Sequence, residues 1–153
     1  MNDLNLAYNV KISSAITPAA GVAHTDDING TILDMMGYEG VLVVVRFGAI
    51  TTSAVTSIKM QQDTAAAMGT AADLLGTSQT VADDDDNELF YIDLFRPTER
   101  YVRLVVDRHT QTAVVASAEY TQYGPKAAPV TQPTGTSGET HISKEFASDP
   151  LTL

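Results

Sequence analysis

Short apolar stretches recur along the chain, separated by turn-forming residues, and one of them stands out. Gly40 to Ile50 reads G-V-L-V-V-V-R-F-G-A-I and is the longest strongly apolar run. It is too short to cross a bilayer, which takes about 20 apolar residues as a helix. Its valines are stiff at χ1 and suit an extended backbone better than a helix. It shows no polar/apolar alternation, so it is expected to be a central strand with both faces covered.

Flanking stretches alternate with a period of two, the mark of half-buried strands. From Tyr8 to Ile16, Tyr8, Val10 and Ile12 are set against Asn9, Lys11 and Ser13. Thr17-Pro18 and Ala20-Gly21 end that strand. Val22 to Ile28 and Thr31 to Met35 are short strand candidates, with Asn29-Gly30 between them as a turn signal. Val55 to Gln62 alternates again, with Ile58 and Met60 on one face. Asp63 to Thr70 reads as a loop, Ala71 to Leu75 as a short apolar piece, and Gln79 to Ala82 as a short strand. In Ala113 to Tyr123, Val114, Ala116, Ala118 and Tyr120 are expected to share a face.

The sharpest local expectation is a hairpin. Leu89 to Arg96 (L-F-Y-I-D-L-F-R) and Arg100 to Arg108 (R-Y-V-R-L-V-V-D-R) flank Pro97-Thr98-Glu99. Pairing Arg96 with Arg100 sets Leu94 opposite Val102, Ile92 opposite Leu104 and Phe90 opposite Val106 on one apolar face. The other face then pairs Phe95 with Tyr101 and Asp93 with Arg103, contacts of about 0.2–1 kcal/mol each. A one-residue slip would scatter the apolar face.

About eight strand candidates and no long amphipathic helix predict an all-β fold, an antiparallel β-sandwich with jelly-roll-like topology. After Gly124-Pro125 the composition turns to Pro, Thr, Ser and Gly, which favours extended backbone. The expected organisation is an N-terminal arm over 1–7, the sandwich domain over 8–124 and an extended C-terminal arm over 125–153. That C-terminal stretch carries spaced apolar residues, Ile142, Phe146, Leu151 and Leu153, which it cannot bury internally. The stretch reads either as a disordered terminus or as an arm that orders on a neighbour, with Phe146 and Leu151 in partner pockets.

Composition narrows the function. With 9 basic and 19 acidic residues the formal charge is −10, which repels nucleic acid and anionic membranes. The absence of cysteine excludes a thiol nucleophile, a Cys-ligated metal and a disulfide scaffold. The first residues, M-N-D-L-N-L-A-Y, lack the basic and apolar regions of a signal peptide. The Asp83–Asp86 run lacks the spacing of a calcium loop and reads as a solvated turn. His24, His109 and His141 are too scattered for a zinc motif. No nucleophile elbow or phosphate loop occurs, and no carboxylate pair is singled out. No enzyme activity, metal or cofactor is therefore expected. Arg96, Arg100, Arg103 and Arg108 form either a basic docking patch or a mixed surface paired with Asp93, Glu99 and Asp107.

Gly37–Ile50, Val81–Asn87 and Phe95–Arg108 resemble segments of a family encoded in the head-gene modules of tailed bacteriophages, the capsid decoration (cement) proteins. The likeness spans Tyr8 to Gly124. It implies a small β-protein, dimeric or trimeric, made in the host cytoplasm and carried on the outer surface of the virion. Its implied partners are the major capsid protein and further copies of itself, with no nucleic acid and no membrane. On that reading Leu4, Leu6 and Tyr8 of the N-terminal segment, with Ile142, Phe146, Leu151 and Leu153, make the contacts to capsid and neighbours. Two alternatives belong to other classes. One is a carbohydrate- or receptor-binding sandwich using Tyr38, Tyr91, Tyr101 or Tyr123. The other is a head–tail joining or tail component.

Overall fold

The computed structural model describes residues 6–109 and 112–133. A single helical turn, α1 (Leu6–Asn9), precedes ten strands: β1 (Lys11–Ile16), β2 (Ile28–Asn29), β3 (Leu33–Asp34), β4 (Gly40–Ile50), β5 (Thr56–Asp63), β6 (Ala72–Asp73), β7 (Gln79–Val81), β8 (Leu89–Phe95), β9 (Tyr101–Asp107) and β10 (Ala113–Tyr123). They form two antiparallel sheets packed as a sandwich. Sheet A has the order β1-β10-β4-β8. In sheet B, β9 and β5 are central. The short β2 and β3 flank β9, and the short β6 and β7 flank β5.

Gly40–Ile50 is the central strand expected of it, paired with β10 on one side and β8 on the other. Only one of its faces is covered. Val41, Val43, Val45 and Phe47 are buried in the core, whereas Leu42 and Val44 are half-buried and Arg46 is exposed. The run lacks alternation because its outer positions are apolar too.

The expected hairpin does not form. β8 pairs with β4 in sheet A, and β9 pairs with β5 in sheet B. Arg96 takes a left-handed backbone (φ 50°) and, with Pro97, carries the chain from one sheet to the other. Ile92, Leu94, Val102, Leu104 and Val106 are buried as expected, but they meet across the sandwich rather than side by side. The proposed Phe95–Tyr101 and Asp93–Arg103 pairs are absent. Arg103 instead donates to Gln61 at 2.8–2.9 Å, and the Tyr123 hydroxyl donates to Asp93 at 2.6 Å.

Three further expectations change. Asn29-Gly30 does not reverse the chain, since β2 and β3 both run antiparallel to β9. Gly30 serves close approach: a Cβ there would lie 3.1 Å from the Leu104 carbonyl and 3.1 Å from the Tyr120 hydroxyl. Ser13 is opposite the inward Tyr120 and Ile12 opposite Thr121, so the faces of β1 are inverted. Register shifts around Val115 change the parity of β10, burying Ala113, Val115, Ala118 and Tyr120 while Val114 and Ala116 are only half-buried.

Side chains and loop residues tie the sheets together. The Tyr120 hydroxyl, from sheet A, accepts the Leu104 N–H of sheet B at 2.8 Å and donates to the Thr31 carbonyl at 3.0 Å. Gln122 donates across to the Asp34 carbonyl at 2.8 Å. Thr31 donates its N–H to Ala15 and its hydroxyl to Ser14, closing one side of the sandwich. On the other side, the Gln79 carboxamide donates to the Tyr91 carbonyl at 2.8 Å.

Candidate functional site

The register of sheet A sets out its outer face row by row. Tyr91 lies beside Val44 and Glu119, and Asp93 beside Leu42 and Thr121. Phe95 lies beside Gly40 and Tyr123, and Leu89 beside Arg46 and Ser117. Leu89, Tyr91 and Phe95 are 46%, 63% and 60% exposed. Scattered exposed apolar residues are ordinary, but a contiguous group of large ones marks an interaction surface. Leu42 and Val44 extend the group onto β4, and Asp93 is its one charge on β8.

Neighbouring side chains pack against this surface from the side and from below. The ring of Tyr123 lies over Gly40, where a Cβ would meet ring carbons at 2.3 Å, so only glycine admits the ring. Burial, reinforced by the Asp93 carboxylate, pushes the Tyr123 phenol up to about 12. Beneath the sheet, Phe90 packs edge-on against Phe47, centroids 5.6 Å apart. The signals for the surface are in the sequence: a central strand without alternation, and a strand whose odd positions, Leu89, Tyr91 and Phe95, are as apolar as its even ones.

Both terminal segments meet at the opposite edge of the same sheet. The Gln132 carboxamide donates to the Ala7 carbonyl at 2.9 Å and to that of Val10, and accepts the Ile12 N–H at 3.0 Å. Val130 donates its N–H to the Tyr8 carbonyl at 2.9 Å. Val130 and Gln132 are buried. Residues 125–133 therefore pack on the domain, although composition alone assigns them to the arm. Of the contact residues expected from sequence, Leu6 is exposed on α1 and Tyr8 is half-buried at this clamp. Leu4, Ile142, Phe146, Leu151 and Leu153 lie outside the described residues.

The arginines are engaged, though not by the partners expected. Arg96 pairs with Glu39, and Arg100 forms a bidentate pair with Asp34 at 2.7 and 2.9 Å. Each guanidinium also stacks over the adjacent ring, Phe95 or Tyr101, at 5.0 and 5.1 Å. Arg108 is buried and donates to the carbonyls of Val22, Asp26 and Ala113. Desolvation pulls its pKa down from the usual guanidinium value. Arg108 thus pins the 22–27 segment to the end of β9 and the start of β10.

The acidic run is occupied by backbone. Asp83, Asp85 and Asp86 accept the N–H groups of Ser53, Ala82 and Ile50. Among the described residues no three His, Asp or Glu side chains stand close enough to hold a metal ion. Asp63, for which the sequence predicts a loop, ends β5, is buried and accepts the N–H groups of Ala65 and Thr70 and both threonine hydroxyls nearby. Those backbone donors hold its carboxyl below the usual range.

One open cleft of about 480 Å³ lies where the β3–β4 and β8–β9 connections meet. It is lined by Met35, Met36, Tyr38 and Pro97, with Glu39, Arg96, Glu99, Arg100 and Lys126 around them. Its two carboxylates and three cations offer no nucleophile–base pair. The tyrosines considered for glycan binding are dispersed. Tyr38 lines this cleft, Tyr101 belongs to sheet B, and only Tyr91 and Tyr123 share a face.

No family model, curated protein or solved structure matches this chain.

Proposed function

We propose that this chain is a structural virion protein that binds the outside of an assembled phage capsid and cements neighbouring major capsid protein subunits. The observation that carries the reading is the exposed apolar group of Leu89, Tyr91 and Phe95 on the outer face of sheet A, with residues 7–12 and 130–132 clamped together at the opposite edge of that sheet. An exposed apolar group on a sheet whose far edge holds Ala7 and Gln132 together suits binding to several subunits at once. The sequence resemblance points the same way. We read the topology as a jelly roll. Taking β2 with β3 and β6 with β7 gives two sheets of four, and the chain crosses between them at β1–β2, β3–β4, β4–β5, β7–β8, β8–β9 and β9–β10.

The mechanism is mass action. A protein that binds only the assembled shell stabilises that shell by its binding free energy. The charge of −10 keeps free copies soluble at high concentration. Quantitative mass spectrometry of purified particles is the deciding experiment. A ratio near one-to-one with the major capsid protein is expected. A few copies per hundred capsid subunits moves the protein to a neck or fibre, and absence from particles removes it from the virion. Removing residues 134–153 should leave the melting temperature unchanged and weaken capsid binding. Undiminished binding by the truncated chain would rule out a role for that segment.

The exposed Tyr91 and Phe95 on one face favour carbohydrate binding as the second reading. Glycan binding by the isolated protein, with no affinity for capsids, would establish it.

A further inference from the structure

Among the described residues the sandwich has several free edges, and all but one are protected. In sheet B the outer strands β2, β3, β6 and β7 are two or three residues long. In sheet A, the β1 edge is covered by Thr31, which bonds the carbonyls of Ser14 and Ala15, and by Gln132, which takes the Ile12 N–H. β8 is the remaining edge. It spans Leu89–Phe95 without a proline, lysine or bulge, the devices that keep edges from pairing.

Its backbone direction follows from the ladder with β4. Phe47 donates to the Glu88 carbonyl and Arg96 donates to that of Glu39. Bonded pairs recur at every second residue of an antiparallel ladder. Even-numbered residues of β8 therefore bond to β4, and the N–H and C=O groups of Leu89, Tyr91, Asp93 and Phe95 point to the open edge. Among the described residues, only the Tyr91 carbonyl has a partner there, the half-buried Gln79 side chain. The same four residues present their side chains on the apolar outer face.

This edge is self-complementary. Two copies related by a twofold axis at Ile92 set Tyr91 opposite Asp93 of the second copy and Leu89 opposite its Phe95. The Tyr91 hydroxyl then reaches a carboxylate whose other oxygen already takes Tyr123. The register centred on Asp93 would oppose two carboxylates. The register centred on Tyr91 sets Leu89 against Asp93. A second copy in the Ile92 register satisfies every outward backbone group, exchanges the Gln79 bond for a ladder bond and meets no like charge.

We propose that β8 pairs antiparallel with β8 of a second copy, joining the two A sheets into one continuous sheet whose outer faces form a single apolar surface. This goes beyond the capsid reading and needs no capsid to test. Sedimentation of the full chain at micromolar concentration should give twice 16.3 kDa. Tyr91→Asp sets carboxylates against each other and should weaken the dimer about tenfold or more. Tyr91→Lys sets a cation against Asp93 and should keep it. The protein lacks cysteine, so Leu89→Cys with Phe95→Cys should give a disulfide-linked dimer on mild oxidation, and Tyr91→Cys alone should not. A monomeric full chain, equal effects of Asp and Lys at position 91, or cross-linking through Tyr91→Cys in place of the 89/95 pair would each overturn the proposal. A monomer that loses capsid binding on Tyr91→Asp would assign the edge to a capsid subunit instead. A dimer that ignores capsids would leave this inference standing and sink the virion reading.

Discussion

At the residue scale, single polar atoms decide how the two sheets sit on each other. Tyr120 is fully buried, yet its hydroxyl replaces a strand neighbour for Leu104 at the point where the edge leaves β9 between β2 and β3. Tyr120→Phe keeps the ring and strands the Leu104 N–H, so the expected loss is about 1–3 kcal/mol. Denaturant unfolding measures it. Period-two alternation groups Tyr120 with Ala118 on one face of its strand but carries no sign that its hydroxyl bonds across the core. On the outer face, the Tyr123 phenol titrates at about 12 because of burial and then Asp93. A raised phenol pKa contributes stability that is complete below the unfolded value of 10.0 and is lost as pH climbs through the folded one. Asp93→Asn removes the carboxylate's share and should bring the Tyr123 transition down towards 10, read by tyrosinate absorbance.

At the element scale, the strands were legible and their partners were not. Alternation marked β5, β8 and β9, and the even positions of β8 and β9 fill the core as expected. The hairpin failed because the same apolar face is satisfied whether two strands lie side by side or face each other across a core. Choosing between those arrangements depends on the backbone of Arg96, and a left-handed arginine leaves no mark in composition. The inverted faces of β1 and the parity change in β10 share a cause. A bulge is one extra residue, invisible to a pattern that counts by twos. The apolar surface was legible in part, since Gly40–Ile50 announced two apolar faces but not that one would stay open. Gly21 is a further element-scale case. Its Cβ would fall 1.8 Å from the Val115 carbonyl, in the register-shifted part of β10, and Val115 donates back to the Gly21 carbonyl. Gly21→Ala must push the 17–24 segment off β10, at a cost of about 1–3 kcal/mol. Thermal unfolding by circular dichroism should show a lower midpoint with no change in strand content.

At the scale of the whole molecule, acid should weaken the fold. Asp34, held low mainly by Arg100, Asp63 by the Ala65 and Thr70 amides, and Asp73 by Lys59 all have depressed pKa values against an ordinary 3.8. Depressed carboxyls contribute stability above their unfolded value and lose it as pH falls through the folded one. The melting temperature should hold near neutral pH and drop below about pH 4, and a flat profile to pH 2 would contradict the account. The Gln132 clamp is the other global tie, and the terminal segments were the least legible part of the chain because a proline-rich composition hides one buried glutamine. Gln132→Ala should raise hydrogen exchange at Ile12, whose amide loses its acceptor, while the central β4 amides stay protected. The place of β10 in sheet A has a consequence for synthesis. β10 lies between β1 and β4, so the first strand made waits for the last. At about 5–20 residues per second, β1 emerges seconds before the strand that will bind it. During that interval one edge of β4 lacks its ladder partner, and a nascent chain stalled before Ala113 is open to proteases and to chaperones, however stable the finished sandwich becomes.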